Sequence, residues 1–189
     1  MEILLEIDAA CFHLINRALS NPAFDTIMPL FHHEEYVLPL ILISWLLAVF
    51  YDRPNRWKLA FIIPLVIILV DQSGLWIKKT VLRPRPFQTI DPAIIHHLVA
   101  PSGTNLSFPS NHAANTAALA TVFSAIYHHL RFIFWGLTII VMFSRVYIGV
   151  HYPLDVISGC MLGSVYGLIL VKGWDYFNKG IPVKTNKSL

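Results

Sequence analysis

Charged side chains are scarce in this chain of 189 residues. Asp, Glu, Lys and Arg make up 13% of the sequence, whereas a soluble domain carries about 25%. Hydrophobic residues reach 56%, and the mean hydropathy is +0.59. This composition excludes a disordered chain and a water-soluble globular protein. The net charge of +3 is too small to indicate a nucleic-acid partner.

Cysteine is also scarce, with two residues in the chain, which excludes a disulfide scaffold. Cys11 and Cys160 have no metal-binding or redox spacing, so we expect inert thiols. Histidine pairs at 32–33, 96–97 and 128–129 are interpreted as polar interface residues rather than a zinc site. The first 20 residues lack a basic stretch before their apolar residues, so no cleavable signal peptide is expected.

Long apolar runs dominate the rest of the sequence. They cover residues 36–51, 59–77, 113–127, 132–147 and 154–171. Most are shorter than the ~20 residues that a membrane span needs, so each helix is expected to continue into polar residues at one end. An amphipathic helix is predicted over residues 1–20, ending at Asn21-Pro22. The predicted fold is an all-α integral membrane bundle of five to six helices, the amphipathic helix and five spans, forming one domain (1–189) with its core at 36–171 and a tail at 172–189.

The distribution of the 14 basic residues predicts an orientation. Eight of them lie on one side of a five-span topology: Arg53, Arg56, Lys58, Arg131, Lys172, Lys179, Lys184 and Lys187. By the positive-inside rule this side, with the C-terminal tail, is cytoplasmic in a plasma (inner) membrane. Arg17 lies in the first segment, and the other five lie on the opposite side: Lys78, Lys79, Arg83, Arg85 and Arg145. Clustered cations on the extracytoplasmic side indicate an anion site, with lipid head-group binding as the simpler alternative.

Three polar segments meet on this extracytoplasmic face. They read KKTVLRPRP (78–86), PSNH (109–112) and SRVYIGVHYPLD (144–155). Ser110 is a favourable N-cap, and the helix start that follows it can bind phosphate through unpaired backbone N–H groups. Pro153 suits the first position of a helix, which leaves Asp155 in the first turn, able to reach back to His151. A carboxylate bonded to one imidazole nitrogen leaves the other nitrogen free to attack.

Together the segments resemble the signature of the type-2 phosphatidic acid phosphatase superfamily, KxxxxxxRP, PSGH and SRxxxxxHxxxD. The resemblance implies that His151 is the nucleophile that becomes a phosphohistidine, that Asp155 orients it, and that His112 is the general acid. It also implies a group of residues that hold the phosphoryl oxygens, namely Lys78, Arg85, Ser110, Asn111 and Arg145. The superfamily needs no metal, so no metal and no cofactor are expected.

One residue departs from the signature, because Asn111 occupies the usual glycine position. Asparagine tolerates unusual φ angles better than most residues, and its amide is able to donate to phosphate. The predicted function is therefore a metal-independent membrane phosphatase of a lipid phosphate or diphosphate. Candidate substrates are undecaprenyl diphosphate, phosphatidylglycerophosphate, phosphatidic acid and lipid A 1-phosphate. A phosphatase of a soluble ester and a non-enzymatic lipid-phosphate binder or transporter are the alternatives.

Other features are interpreted as structural. Gly159, Gly163 and Gly167 recur every four residues in the last span, which predicts a close helix contact. Asp71 lies inside the second span and is expected to pair with a cation of the site or to be protonated. The segment 87–108 is long enough to form a lid over the substrate head group.

Overall fold

The computed structural model describes residues 2–100 and 105–178, with backbone alone for residues 34–37. The described residues form eight α-helices. Their bounds are α1 Glu2–His13, α2 Pro22–Ile27, α3 Glu34–Tyr51, α4 Arg56–Val81, α5 Pro86–Thr89, α6 Asn111–Ile126, α7 Arg131–Tyr147 and α8 Pro153–Asn178. A π-helical turn, Leu14–Ala18, follows α1, and short 3-10 turns precede α3 and α7.

Each of the five predicted spans corresponds to one helix. α4 extends beyond its apolar run to include Lys78 and Lys79, and α6 begins at Asn111, so polar motif residues do lengthen these helices. The prediction for the last span was too short, because α8 continues past residue 171 to Asn178. The rest of the predicted tail, with Lys179, Lys184 and Lys187, lies outside the described residues.

Three helical stretches within the described part of the chain are long and apolar enough to cross a membrane. They are Arg56–Val81, His128–Tyr147 and Pro153–Asn178, and a shorter apolar helix covers Leu38–Tyr51. Their outward surfaces carry exposed side chains such as Phe61, Trp76 and Ile139, as expected of helices that face lipid. α6 has 16 residues and buries its small side chains between the other helices.

The contact between α6 and α8 forms the centre of the bundle. A Cβ atom added to Gly163 would lie 1.9 Å from the carbonyl oxygen of Ala114, and one added to Gly159 would lie 2.4 Å from that of Ser110. Only glycine allows the two backbones to approach this closely. The predicted packing role of the glycine series is confirmed, and the contact runs along α8 from Gly159 to Gly167.

Polar contacts also join the bundle at the end opposite to α5. Lys58 forms an ion pair with Asp175 at 2.6 Å, and the Tyr127 hydroxyl donates to Asp52 at 2.8 Å. Arg53 lies in the same turn between α3 and α4. The described basic residues that are assigned to the cytoplasm therefore lie at the other end of the bundle from the three motif segments.

Asn16 is one of the buried side chains through which the N-terminal segment packs on the motif end. The Asn16 amide donates to the carbonyl oxygens of His96 and Tyr147, each at 2.8 Å, and accepts from the His96 backbone N–H at 2.9 Å. Asn16 thus ties the π-helical turn both to the segment after α5 and to the end of α7. These contacts hold the predicted lid to the bundle at His96.

Candidate active site

The connection between α7 and α8 brings Arg145 and His151 together. The backbone N–H groups of Val150 and His151 both donate to the carbonyl oxygen of Arg145 at 3.2 Å, so the chain folds back on the end of α7. Gly149 has a φ of +80°, which disfavours residues with a Cβ atom, and an added Cβ would lie 3.0 Å from the His96 carbonyl oxygen. This tight turn points two motif residues at the same region.

His151 lies within a ring of cations. It is 2% exposed. Its pKa lies well below its usual range, chiefly because of burial and further because Arg145, Arg85 and Lys78 lie near it. The imidazole is therefore neutral at pH 7, which is the state a nucleophile needs. Two of these cations come from the segment 78–86, and Arg145 comes from the segment that carries His151 itself.

Asp155 lies one helical turn after His151. Its Oδ2 atom is 3.5 Å from His151 Nδ1 and accepts a hydrogen bond from the Tyr152 backbone N–H at 2.8 Å. The predicted reach of Asp155 back to His151 is thus present as a close approach that exceeds hydrogen-bond length. Pro153 is the first residue of α8, as predicted.

The start of α6 adjoins these residues. The Ser110 backbone N–H donates to the Asp155 carbonyl oxygen at 3.0 Å, which joins the first turns of α6 and α8. Ser110 is the residue before the helix, as predicted, but its side chain makes no capping hydrogen bond. Its hydroxyl is fully buried and has no hydrogen-bond partner among the described residues. A buried hydroxyl beside a helix N-terminus is suited to an anion.

Lys78 and Arg85 are both buried beside His151. The Lys78 ammonium group donates to the carbonyl oxygen of Pro109, so it also fixes the segment that leads into α6. Arg85 is 8% exposed, and its Nε atom has no partner among the residues that the structure describes. Burial lowers the pKa of the Arg85 guanidinium. An anion entering this region would therefore meet two cations with little competing water.

His112 approaches the site from the first turn of α6, and a further histidine stacks on it. The rings of His32 and His112 are 6.4 Å apart and nearly parallel, at 14°. His32 Nδ1 lies 2.8 Å from an Arg145 guanidinium nitrogen. Burial and the Arg145 charge lower the pKa of His32 to about 4. His32 is thus a neutral ring at the edge of the site.

The Asn111 side chain turns away from these residues, which corrects the expectation that its amide donates to phosphate. Asn111 Nδ2 donates to Asp71 Oδ1 at 3.1 Å, and Asn115 Nδ2 donates to the same oxygen at 3.0 Å. A Cβ added to Gly74 would lie 2.8 Å from Asn111 Oδ1, so α4 leaves space for the larger residue. Among the described residues, Asp71 thus pairs with two amides and not with a cation of the site, which corrects the first of the two alternatives for Asp71.

The histidine pairs do not gather around one point. His96 Nε2 lies 2.8 Å from Asp25, and His97 stacks on Phe87 with ring centroids 4.6 Å apart. Among the side chains that the structure describes (2–33, 38–100 and 105–178), no three His, Cys, Asp or Glu residues form a group that could hold a metal ion.

A family model described as the PAP2 superfamily matches residues 55–179, which is about two thirds of the sequence. The chain belongs to the PAP2 superfamily. The matched region begins before α4 and contains all three motif segments. The protein is therefore a membrane phosphatase of this superfamily.

Curated PAP2 relatives carry different names. A lipid A 4'-phosphatase of Porphyromonas gingivalis is 27% identical over 182 residues, covering 93% of this chain and 76% of the relative. An undecaprenyl-diphosphatase of Sulfolobus acidocaldarius is 35% identical over 145 residues, covering 74% of this chain and 64% of the relative.

A solved PAP2 structure has the same overall fold. The crystal structure of a transmembrane PAP2-type phosphatidylglycerolphosphate phosphatase from Bacillus subtilis matches with a TM-score of 0.74 at 26% identity. The match covers 96% of this chain and 90% of that one, so it includes the N-terminal helices as well as the motif-bearing bundle.

Sequence reasoning missed several residues that support the PAP2 site. Arg83 and Asp8 contact Asp155 and the start of α8, and His32 contacts Arg145. Arg83 belongs to the cations predicted on the extracytoplasmic side. Asp8 has only a weak signal in the sequence, as an acidic residue within the apolar pattern of α1. The His32-His33 pair gave no indication of the ring contact, because it comes from the path of the chain before α3.

Proposed function

We propose that this PAP2 phosphatase removes the phosphate or diphosphate of a membrane lipid through a phosphohistidine formed at His151. The observation that supports this most is the buried, neutral His151 ring beside three cations and 3.5 Å from a carboxylate. Apolar helices flank the site, so a substrate with long acyl or prenyl chains can enter sideways while its phosphate stays at the polar end.

The phosphoryl group is held by charge. Lys78, Arg85 and Arg145 neutralise its oxygens, and the Ser110 hydroxyl and the backbone N–H groups at the start of α6 donate to them. Asn111 contributes through its backbone N–H, since its amide binds Asp71. A guanidinium group presents paired donors that match phosphate geometry, which a lysine cannot reproduce.

The reaction proceeds in two steps. The free imidazole nitrogen of His151 attacks phosphorus, and the bond from phosphorus to the lipid oxygen breaks. Burial and the Arg145 charge lower the pKa of His112 to about 2 in the phosphate-free site, so His112 takes up its proton when the phosphate anion enters and offsets that charge, and it donates this proton to the leaving oxygen. Asp155 stabilises the positive charge that develops on the His151 ring. Water then attacks the phosphohistidine while His112 accepts its proton, and inorganic phosphate leaves with His151 restored.

Several lipid classes are candidate substrates. The relatives are named for lipid A, undecaprenyl diphosphate and phosphatidylglycerolphosphate, which differ in head group but share a phosphate ester or anhydride at the membrane surface. Undecaprenyl diphosphate, phosphatidylglycerophosphate, phosphatidic acid and lipid A 1-phosphate are therefore the substrates to compare. The positive-inside rule supports an extracytoplasmic site and a cytoplasmic C-terminus.

Purified protein in detergent, assayed for phosphate release from these four lipids and from short-chain soluble phosphate esters, tests the proposal. We expect release from at least one lipid at a rate above that from any soluble ester. Faster hydrolysis of soluble esters would favour the soluble-substrate alternative. Binding of lipid phosphate without release would favour the binder or transporter.

Two variants test the assigned roles. His151→Ala should abolish phosphate release from every lipid while the protein remains folded, and wild-type rates would exclude His151 as the nucleophile.

His112→Ala should slow the cleavage of a lipid phosphate by about 10²–10⁴-fold, a typical general-acid contribution. Its effect should be smaller on an activated aryl phosphate, which needs no proton on its leaving oxygen. Equal losses on both substrates would exclude the general-acid role.

A further inference from the structure

A buried ion-pair network outside the motif residues lies against Asp155. Arg83 Nη1 donates to Asp155 Oδ1 at 2.8 Å, and Arg83 Nη2 donates to Asp8 Oδ2 at 2.5 Å. Both carboxylates have fully buried side chains, and the Arg83 side chain is 18% exposed. One guanidinium group therefore links a residue of α1 to the carboxylate that faces His151.

Asp8 also contacts α8 directly. Its Oδ1 atom accepts the backbone N–H of Leu154 at 2.8 Å, in the first turn of α8. The Arg83 guanidinium lies over the Tyr152 ring, 4.2 Å from its centroid, and Phe12 of α1 packs on the same ring at 5.3 Å. The junction that carries His151 and Asp155 is thus enclosed by α1 on one side and Arg83 on another.

The two oxygens of the Asp155 carboxylate have different partners. Oδ1 is occupied by Arg83, while Oδ2 accepts the Tyr152 N–H and faces His151 Nδ1. Charge-assisted hydrogen bonds to a guanidinium are strong and directional. The Arg83 contact therefore fixes the plane of the carboxylate, so that Oδ2 keeps its position beside the imidazole.

The Asp8 carboxylate determines the net charge of this network beside His151. A lone Arg83–Asp155 pair would be neutral and would exert little attraction on a positive His151 ring. With Asp8 the three side chains carry a net charge of −1, the same as an unpaired Asp155. Because these groups are buried, that charge is weakly screened. The arrangement thus keeps Asp155 rigid while preserving its electrostatic effect on the nucleophile.

We propose that Asp8 and Arg83 are positioning residues that hold Asp155 against His151 and maintain the net negative charge beside it. This inference rests on the proposed roles of His151 and Asp155. It assigns a role in catalysis to α1, which the sequence predicts only to be an amphipathic helix.

The test compares Asp8→Asn with Glu6→Gln, measured as kcat and KM for the best lipid substrate. Asp8→Asn keeps the shape of the side chain and removes its charge, and we expect kcat to fall about 10–100-fold, as for loss of a charge-assisted bond, with little change in KM. Glu6 lies exposed on the same helix, so Glu6→Gln should leave both constants unchanged. Wild-type kcat in Asp8→Asn would overturn the proposal.

A double-mutant cycle separates positioning from a general structural role. In an Asp155→Asn background, Asp8→Asn should cause less than a twofold further loss, because the group it positions has been changed. A further loss as large as in the wild-type background would overturn the proposal. If Asp8→Asn does not fold, Arg83→Lys enters the same cycle, since lysine keeps the charge but cannot bridge both carboxylates with one planar group. The failure of His151→Ala to abolish turnover would instead contradict the proposed function.

Discussion

At the scale of single residues, His151 occupies a position where a proton is unfavourable until phosphate arrives. Burial and three nearby cations keep the ring neutral, while Asp155 lies ready to stabilise the charge that forms on attack. The same cations attract the phosphoryl oxygens, so one set of charges both prepares the nucleophile and binds its target. The motif spacing is sufficient to predict that these side chains converge. It does not predict their protein partners, such as the Lys78 contact with the Pro109 carbonyl oxygen.

Protonation of the histidines gives a prediction for pH dependence. The pKa of His151 lies well below its usual range and that of His32 is about 4, so both rings should stay neutral at pH 5.5. Histidine-labelled NMR spectra of the phosphate-free protein in detergent check this, with the His151 signal assigned by its loss in His151→Ala. Titration of His151 near pH 6.5 would contradict the expectation.

The lowered pKa values of His151 and His32 also make the stability of the fold depend on pH. Below about pH 6.5 the unfolded chain binds protons at these histidines, but the native protein does not. The free energy of unfolding should therefore decrease as the pH falls from 6.5 to 5, a trend that thermal melts in detergent can measure.

The Asn111 side chain gives a second residue-scale prediction. Asn111→Ala removes an amide that donates to Asp71, so it should lower the free energy of unfolding by about 1 kcal/mol and change kcat/KM less than fivefold. Asn115→Ala is the matched control, because Asn115 donates to the same oxygen from one turn further along α6. A much larger loss of kcat/KM in Asn111→Ala than in Asn115→Ala would indicate that the Asn111 amide does contact the phosphate.

At the scale of elements, the two helices that bear His112 and Asp155 are held by small residues. The four-residue glycine spacing predicts a close contact, and the apolar runs predict five helices. The bounds of the helices depend on local chemistry: Pro153 starts α8 where the sequence indicates, whereas α8 runs on to Asn178 because no proline or glycine pair follows residue 171 at once. The central position of α6 follows from its alanines only once its partners are known.

Glycine substitutions in α8 test this contact. Gly163→Ala would bring a Cβ to 1.9 Å from the Ala114 carbonyl oxygen, so α6 and α8 must separate. We expect a loss of about 1–3 kcal/mol in the free energy of unfolding and a clear fall in kcat. Gly173→Ala is the control in the same helix, because its added Cβ meets nothing within 4 Å. Equal stability of the two variants would contradict the proposed role of the contact.

At the scale of the whole molecule, the site depends on segments that lie far apart in the sequence. The motifs at 78–86, 109–112 and 144–155 were recognisable, because a bundle with alternating spans brings them to one end. The contributions of Asp8, Asn16 and His32 were not, since each comes from the way the N-terminal segment folds over that end. Periodicity in the sequence carries no information on such packing.

The orientation of the molecule can be measured with thiol labelling. In a background with Cys11 and Cys160 replaced by serine, Asp91→Cys and Arg53→Cys introduce single thiols at exposed positions of the two ends of the bundle. A membrane-impermeant maleimide should label Asp91→Cys in intact spheroplasts and Arg53→Cys only after permeabilisation. The reverse pattern would mean that the site faces the cytoplasm.

The three hydrogen bonds of Asn16 bear on how specificity can be exchanged between relatives. The segment after α5, predicted to form a lid over the substrate head group, is one piece to graft in a test of lipid preference, but its backbone at His96 is held by a side chain from the π-helical turn. A chimera that receives this segment alone would have the carbonyl oxygen and the N–H of residue 96 without the Asn16 side chain that pairs with both. Exchange of the Leu14–Ala18 turn together with the segment keeps the pairing intact.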